Sequence, residues 1–452
     1  MRVLLIQPAS SDPLMDQIYL FEPLALEYLG AGLKQNGHEV LLHDARIEPG
    51  WERIFRQFKP DLVGLTGFTS QLNIISNMAS WIKEQSPDCW VVVGGHHATV
   101  APRDFNKPEI DLVVQGEGVF TLLEIIHAIV TESGFQQIKG LAIPCFDGML
   151  FTEPRPYTDL NLLPFPDRSL TKAHRNHYFS EWFKPLASVR TSLGCTARCN
   201  FCALWQITGA NYLRRDPEQV VAELQTVEEP NIFFCDDESM CDTRRMDRLA
   251  DLIKAAGIRK NYFLYGRVDT IVNHPQLFEK WAAIGLSQVF VGMEDCSDAR
   301  LSAMRKGTTV AQQEQAVAIL KRLGIMMYAS YMVNPDYGHE DFSALLHHVR
   351  RMGHNYATFT VMTPLPGTEL YEQNKERLLS TRPELFDMLH SLLPTRLPLP
   401  VFYQEMARLY TSAVPLHRSL PALLKFGLHG ILLRLRLFST FLKKMKQAHL
   451  DY

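Results

Sequence analysis

The sequence lacks any apolar run long enough to cross a bilayer, and it has no large excess of either charge. No uninterrupted apolar stretch approaches the ~20 residues of a membrane-spanning helix, and 46 Lys and Arg against 49 Asp and Glu give a net charge of -3. The totals therefore give no electrostatic support for nucleic-acid binding. With 452 residues, 46% of them hydrophobic, the chain is long enough for two or three ordinary domains.

A disulfide framework and a signal peptide are also missing. The eight cysteines show no even pairing along the chain, and Met1-Arg2 leads directly into a short apolar strand. Both observations predict a protein of the reducing cytoplasm. Such a compartment suits an oxygen-sensitive metal cluster.

Three of the cysteines form the most informative motif. Cys195, Cys199 and Cys202 follow the spacing Cys-x3-Cys-x2-Cys. Three thiolates this close can bind three irons of a [4Fe-4S] cluster and leave the fourth iron open for a ligand, which indicates catalysis. Zinc completed by a histidine is an alternative, although no histidine lies between His177 and His274. Inert buried thiols are a third interpretation.

Residues 1–145 alternate short apolar runs with helix-like segments. This pattern predicts a doubly wound parallel sheet, whose ligand site lies beyond the carboxyl ends of its strands. Glycines and polar residues collect at those ends, where small residues let a large ligand approach the backbone. The apolar runs are Val3–Ile6, Val40–Leu42, Leu62–Leu65, Val91–Val93 and Leu112–Val114, and the helix-like segments are 23–36, 71–85 and 119–132.

Residues 146–186 are irregular and rich in proline, with the stretch 163–168 (LPFPDR) the most distinctive, and we interpret them as a linker lying over the second domain. Alternation resumes over 187–375 and predicts a partial (β/α)6 barrel with the three cysteines in the loop after its first strand. Region 376–452 is predicted to be helical. The expected barrel strands lie near 187–191, 231–235, 262–266, 288–292, 326–332 and 357–361.

The C-terminal region has no acidic residue between Glu405 and Asp451, against eight Lys or Arg. Its apolar residues recur every three or four positions, so they share one helical face. Two interpretations stay open: peripheral contact of 414–446 with an anionic membrane, or packing of that face on the barrel. The apolar residues are Leu424, Leu428, Ile431, Leu435, Phe438, Leu442 and Met445, and Lys425, Arg436, Lys443 and Lys444 fall largely off that face.

The cysteine motif, with Phe201 before its last cysteine, resembles that of the radical S-adenosylmethionine (SAM) superfamily. The doubly wound domain ahead of it is similar to the cobalamin-binding subclass. Within that subclass, segments 20–27, 236–238 and 363–368 resemble the hopanoid ring-A methylases, and the likeness covers residues 1–375. The resemblance implies three cofactors: a [4Fe-4S] cluster, SAM that is cleaved to a 5'-deoxyadenosyl radical, and cobalamin.

The resemblance also implies roles for single residues. The three motif cysteines would bind the cluster, and Phe201 would contact the adenine of SAM. Residues near barrel strand ends would position the amine, ribose or carboxylate of SAM, although loop caps or ion pairs are the ordinary alternative; these are Asp236, Asp237, Arg267 and Glu294. For cobalamin the matching positions are Thr66, Thr69, Ser70, Gly94, Gly95, Glu117 and Gly118.

One feature of many cobalamin proteins is absent. Their Asp-x-His-x-x-Gly motif, whose histidine binds cobalt, corresponds here to segment 44–49 (DARIEP). Radical SAM members commonly lack it too, so the lower face of cobalt would stay open to water or to a side chain of the 68–71 loop. The same absence also permits a domain without cobalamin. His96 and His97 are adjacent on a predicted extended segment, so they would point to opposite sides and would not share a metal.

Methyl transfer to an unactivated carbon of a small or lipid-like substrate is the leading interpretation, with an electron donor such as flavodoxin or ferredoxin. The alternatives are radical cyclisation, ring contraction or deoxygenation without methyl transfer, and a non-catalytic iron-sulfur electron-transfer or cobalamin-carrier protein. Cys235 and Cys241 are too few for a second cluster and are predicted to be buried thiols. Four residues are predicted at the barrel interior or mouth, although core packing is the default for any one of them: Tyr265, Tyr328, Tyr331 and Met332.

Overall fold

The computed structural model describes residues 1–354, 356–414, 424 and 427–452. The chain divides into two compact units. The first contains Met1–Val189 and Gln206–Gln219, and the second contains Arg190–Trp205 and Val220–Tyr452.

A mainly parallel sheet forms the centre of the first unit. Its strands are β1 (Arg2–Gln7), β2 (Glu39–Asp44), β3 (Leu62–Thr66), β4 (Trp90–Gly94), β5 (Leu112–Val114), β6 (Leu141–Cys145) and β7 (Gly148–Phe151). Its helices are α1 (Leu24–Gln35), α2 (Trp51–Phe58), α3 (Leu72–Gln85), α4 (His96–Val100) and α5 (Val119–Val130). The spatial order is β2-β1-β3-β4-β5-β6-β7. The first five strands are parallel, and β6 and β7 are antiparallel to their neighbours.

Both faces of this sheet are buried, as the continuous apolar runs predict. Val3 and Leu5 belong to the core on one face, and Leu4 and Ile6 belong to the core on the other. The doubly wound sheet is therefore confirmed. The β6–β7 hairpin was not predicted, because β7 is partly or fully exposed and so has no run of buried apolar residues.

The strand order reverses between β1 and β3, which is the point where doubly wound folds bind their ligands. The chain after β7 remains part of the first unit, with short 3-10 turns at Leu160–Leu162 and Arg168–His177 and a strand β8 (Leu186–Val189). Asp167 fixes this segment, since its carboxylate lies 2.6 Å from Lys34 Nζ and its N–H donates to the carbonyl of Glu27 (3.1 Å).

The remaining strands are β9 (Ser192–Leu193), β10 (Leu213–Arg214), β11 (Asn231–Phe234), β12 (Asn261–Gly266), β13 (Leu286–Glu294), β14 (Met326–Val333) and β15 (Tyr356–Val361). The remaining helices are α6 (Leu204–Ile207), α7 (Pro217–Thr226), α8 (Thr243–Ala255), α9 (Val268–Asn273), α10 (Pro275–Ala283), α11 (Asp298–Ala303), α12 (Val310–Arg322), α13 (His339–Met352), α14 (Glu369–Asn374), α15 (Leu399–Ser412) and α16 (Gly427–Gln447). Strands β11 to β15 are consecutive parallel neighbours in the second unit. All six predicted barrel strands form, β8 being the first.

Helix α16 exposes three of the six residues that it contributes to the predicted apolar face. Leu428, Leu435 and Phe438 are 76%, 51% and 39% exposed, whereas Met445 is buried. Phe441, which is outside the predicted apolar face, packs on Tyr410 of α15 with ring centroids 4.8 Å apart. The predicted region 414–446 is covered only in part, since 415–423, 425 and 426 lie outside the described residues. Within the described part of the chain, no helix has the length and apolarity to cross a membrane.

Candidate functional site

The three motif cysteines lie in an irregular loop that follows β9. Cys199 is buried, Cys195 and Cys202 are half-buried, and none forms a disulfide. The loop is shaped by bonds to its carbonyls: Arg198 donates to Cys195 (3.0 Å), and the indole of Trp205 donates to Cys199 (3.0 Å). These bonds leave the thiols available to a ligand. Phe201 lies half-buried in the same loop.

The surroundings of the three thiols favour a bound group that stabilises thiolates. Burial raises the pKa of Cys195 and raises that of Cys202 to about 12, and the nearby Cys199 adds to both shifts. Within the described ranges, no three His, Cys, Asp or Glu side chains are close enough to hold one metal ion. A four-iron cluster bound by the three cysteines would stabilise them as thiolates.

Asp236 and Asp237 hold the backbone that leads into this loop. The Asp236 carboxylate accepts from the N–H and the hydroxyl of Thr191 (both 2.6 Å) and from the N–H of Ser192 (2.8 Å). Asp237 Oδ2 accepts from the N–H of Gly194 (2.6 Å), a residue with φ +92. Both oxygens of Asp236 therefore accept bonds from the loop, as the loop-cap alternative predicts.

Glu238 is a site residue that the sequence analysis did not select. It is 2% exposed, and its Oε1 has no hydrogen-bond partner among the described residues. Burial raises the pKa of Glu238 to about 7, against the opposing effect of Arg267. The charge of Glu238 also contributes to the raised pKa of Cys195, so the carboxyl lies within electrostatic range of the motif. Its position in the loop after β11, next to Asp236 and Asp237, was the available signal.

Arg267 and Glu294 each form an ion pair at a strand end. Arg267 donates to Asp269 through Nε (2.9 Å) and Nη2 (3.1 Å). Glu294 ends β13 after a register shift, has φ +65, and accepts from Lys306 Nζ (2.6 Å). Burial lowers the pKa of Arg267, but the hydrogen bonds and charge of Asp269 outweigh burial. The pKa of Arg267 is therefore raised, and the nearby Cys199 and Cys195 raise it further. A cation therefore faces the motif.

The predicted cobalamin residues at β3 and β4 lie close together. Gly95 has φ +95, and a Cβ there would clash with Thr66 Oγ1. Thr69 is buried with its hydroxyl 3.0 Å from His97 Nδ1, while Ser70 is half-buried. Gly95 is thus required for both its backbone angle and its close approach to Thr66.

The remaining predicted cobalamin positions are Gly94, at the end of β4, and the start of α5. Glu117 accepts from the N–H of Val119 and from that of Phe120 (3.2 Å), so its carboxylate caps the helix. Gly118 is the residue before α5. Asp44, at the position of the missing motif, is bound by Arg46 through Nε (2.9 Å) and Nη2 (2.6 Å).

The histidines after β4 correct one expectation. His96 and His97 begin helix α4 and do not lie on an extended segment. His97 is fully buried between Thr69 and Asp104, whereas His96 is half-buried next to Phe68, with ring centroids 5.7 Å apart. Phe68 is 63% exposed. This exposed aromatic ring therefore lies in the 68–71 loop at the predicted cobalamin face.

An aromatic row crosses one face of the second sheet. Tyr265, Phe290, Tyr328 and Tyr356 are neighbours on successive strands, with ring centroids 5.1, 5.0 and 4.5 Å apart, and all four are half-buried. Tyr331 was expected beside them but is fully buried on the opposite face, where its hydroxyl lies 2.8 Å from His354 Nε2. An odd spacing from Tyr328 along a strand requires that reversal.

Two domain families match the chain. The B12 binding domain matches residues 19–126, and the radical SAM superfamily matches residues 189–349. The chain is a cobalamin-binding radical SAM enzyme. The family assignment made from the cysteine motif and the preceding doubly wound domain is confirmed, together with the fold class.

The relatives extend over most of the chain. Hopanoid C-3 methylase of Methylococcus capsulatus is 28% identical over 416 residues, covering 90% of this chain and 79% of that protein. Anaerobic magnesium-protoporphyrin IX monomethyl ester cyclase of Rubrivivax gelatinosus is 26% identical, covering 86% and 71%. Among solved structures, the radical SAM methyltransferase TsrM of Kitasatospora setae with cobalamin and a [4Fe-4S] cluster gives a TM-score of 0.71 at 18% identity, covering 92% and 89%.

Proposed function

We propose that this enzyme methylates an unactivated carbon of a polycyclic, lipid-like substrate. The observation that carries the proposal is the pairing of a B12 binding domain with a radical SAM domain in a chain that aligns over 90% of its length with a hopanoid methylase. The half-buried aromatic row supports a large apolar substrate, because aromatic faces offer a broad apolar contact surface. The proposed division is a cobalamin domain over 1–145, a linker over 146–186, a radical SAM domain over 187–375 and a helical region over 376–452.

The second unit would hold the cluster and SAM. Cys195, Cys199 and Cys202 would bind three irons, and a one-electron donor such as flavodoxin or ferredoxin would reduce the cluster. Once bound, these groups supply a carbon radical, and cobalamin supplies a methyl group. The protein's own contribution is to place the reacting carbon, exclude water and oxygen, and fix the cofactors.

Two side chains are suited to the polar ends of SAM. The free Oε1 of Glu238 is a buried acceptor for an ammonium group, and Arg267 is a cation for a carboxylate. Asp236 and Asp237 would act indirectly, by fixing the backbone of residues 191–194 that leads into the cysteine loop. Phe201 would contact the adenine of SAM. Glu294 would contribute indirectly, by holding the ammonium group of Lys306 in place.

In the first unit, the carboxyl ends of β3, β4 and β5 would receive cobalamin. Gly94, Gly95, Thr66 and Ser70 would approach the corrin closely, with Thr69 held by His97. Glu117 and Gly118 would contribute by fixing the start of α5. The exposed Phe68 ring is the side chain of the 68–71 loop best placed to cover a cofactor face.

Anaerobic turnover tests the methylation proposal. Protein reconstituted with iron, sulfide and methylcobalamin would be incubated with SAM, reductant and a deuterium-labelled hopanoid. We expect deuterium in 5'-deoxyadenosine and a product in which one methyl group has replaced the abstracted deuterium. Labelled 5'-deoxyadenosine from a rearranged but unmethylated substrate would instead support cyclisation or a related radical outcome, which the cyclase relatives favour as second candidate.

The exposed face of α16 supports peripheral membrane contact. Its apolar side chains stand in a region with eight Lys or Arg and no acidic residue between Glu405 and Asp451, which complements an anionic bilayer. Wild-type protein should sediment with phosphatidylglycerol vesicles and not with phosphatidylcholine vesicles. L428D/L435D should lose binding, and L162D, at an exposed leucine of the first unit, should retain it. Equal sedimentation of the wild type and L428D/L435D would exclude this surface.

A further inference from the structure

Lys306, which no sequence motif singled out, is a buried cation in the second unit. Its Nζ lies 2.6 Å from Glu294 Oε1, and both side chains are only 9% exposed. A buried ammonium group loses its hydration and needs a charged partner to stay ionised. Gly292 leaves room for this pair, since a Cβ there would clash with the Glu294 carboxylate and the Lys306 ammonium.

The segment that ends at Lys306 is bonded directly to the cysteine loop. Asn200, inside the motif, donates its N–H to the carbonyl of Met304 (3.3 Å) and its side-chain amide to that of Ala303 (3.0 Å). Arg267 Nη2 donates to the carbonyl of Lys306 (2.9 Å). The backbone at residues 303–306 is therefore held by the motif through Asn200 and by Arg267 through the Lys306 carbonyl.

Lys306 keeps its charge beside the thiols. Burial lowers its pKa, but Glu294 and then Cys199 outweigh burial, so the pKa is raised above its ordinary value. Arg267 is the second cation that faces Cys199 and Cys195. Both cations have a carboxylate partner of their own, Asp269 for Arg267 and Glu294 for Lys306.

We propose that Lys306 is a positioning residue for electron transfer, whose ammonium group, held by Glu294 beside the cysteine loop, raises the reduction potential of the cluster. Reduction transfers one electron from the external donor and makes the cluster more negative by one charge. A fixed cation nearby stabilises that more negative state. The inference rests on the cluster of the proposed function and does not depend on the substrate or on methyl transfer.

The test is an anaerobic redox titration of the reconstituted full chain without SAM, followed by electron paramagnetic resonance of the reduced cluster. K306M should shift the midpoint potential to lower values, whereas K306R should keep it near that of the wild type. The double variant E294Q/K306M, which leaves no uncompensated buried charge, should fall between K306M and the wild type. K321M, at an exposed lysine of α12, serves as the matched control and should show no shift.

Iron content separates this inference from the cluster assignment. If the wild type itself held no iron, the assignment of a cluster to the three cysteines would be wrong. If K306M or E294Q/K306M held a full cluster with unchanged potential, only the proposed role of Lys306 would be wrong. If K306M fails to hold iron, the potential of E294Q/K306M is measured instead, because this double variant removes the same cation without leaving Glu294 as an unpaired buried charge. A purely structural role for Lys306 predicts no potential shift in any loaded variant.

Discussion

At the scale of single residues, Asp236 supports the cluster loop through three hydrogen bonds. D236A would leave the N–H groups of Thr191 and Ser192 and the Thr191 hydroxyl without their acceptor, at about 1–3 kcal/mol for each buried orphan. We expect lower iron and sulfide content after reconstitution and a lower unfolding midpoint. D237A removes the acceptor of a single backbone N–H, that of Gly194, so it should lose less iron and less stability than D236A. Full iron content in D236A with a raised KM for SAM would instead make Asp236 a direct ligand.

Glu27 gives the first unit a pH-dependent stability. Burial, and then the charge of Glu22, raise the pKa of Glu27 to about 8. Because the folded-state pKa lies above the unfolded value, this stability contribution is complete below about pH 4.5 and is lost as pH rises through 8. E27Q should remove a slope of at most about 1.4 kcal/mol per pH unit. Hydrogen exchange of α1 across that range measures it, with E84Q, at an exposed site, as the control.

At the scale of elements, the close approach of the β3 and β4 loops depends on Gly95. G95A would place a methyl group against Thr66 Oγ1 at φ +95, so we expect loss of bound cobalamin and about 1–3 kcal/mol of destabilisation. G37A also adds a side chain at positive φ, but nothing lies within 4 Å of its Cβ. G37A should therefore retain cobalamin, which visible absorbance measures. If G95A retained cobalamin equally well, the loop at Gly95 would not be part of the cobalamin site.

The elements also show what the sequence could predict. Apolar runs identified the parallel strands of both sheets, because buried strands leave a continuous apolar signal, whereas the partly exposed β6–β7 hairpin was missed. The partners of polar residues could not be predicted in the same way. Glu294 meets Lys306, and Asp236 meets Thr191, only after separate loops converge. The reversed face of Tyr331 was available from its odd spacing to Tyr328.

At the scale of the whole molecule, the chain divides into two compact units, and units of this kind ordinarily fold around their own cores, so we expect that the loss of one cofactor does not remove the other. C199A removes the buried thiol of the motif. The full-length variant should lose its cluster and its ability to cleave SAM, while cobalamin content stays near the wild-type value. Iron analysis, visible absorbance and 5'-deoxyadenosine release measure these three quantities on one sample.

Cys145 provides the matched control for C199A, because it is an exposed thiol of the first unit. C145A should keep cluster, cobalamin and SAM cleavage together. If C199A retained SAM cleavage, the three-cysteine assignment would be wrong, since two thiolates cannot hold three irons. If C199A lost cobalamin as well, the two cofactor sites would depend on each other. The two compact units would then not bind their cofactors independently.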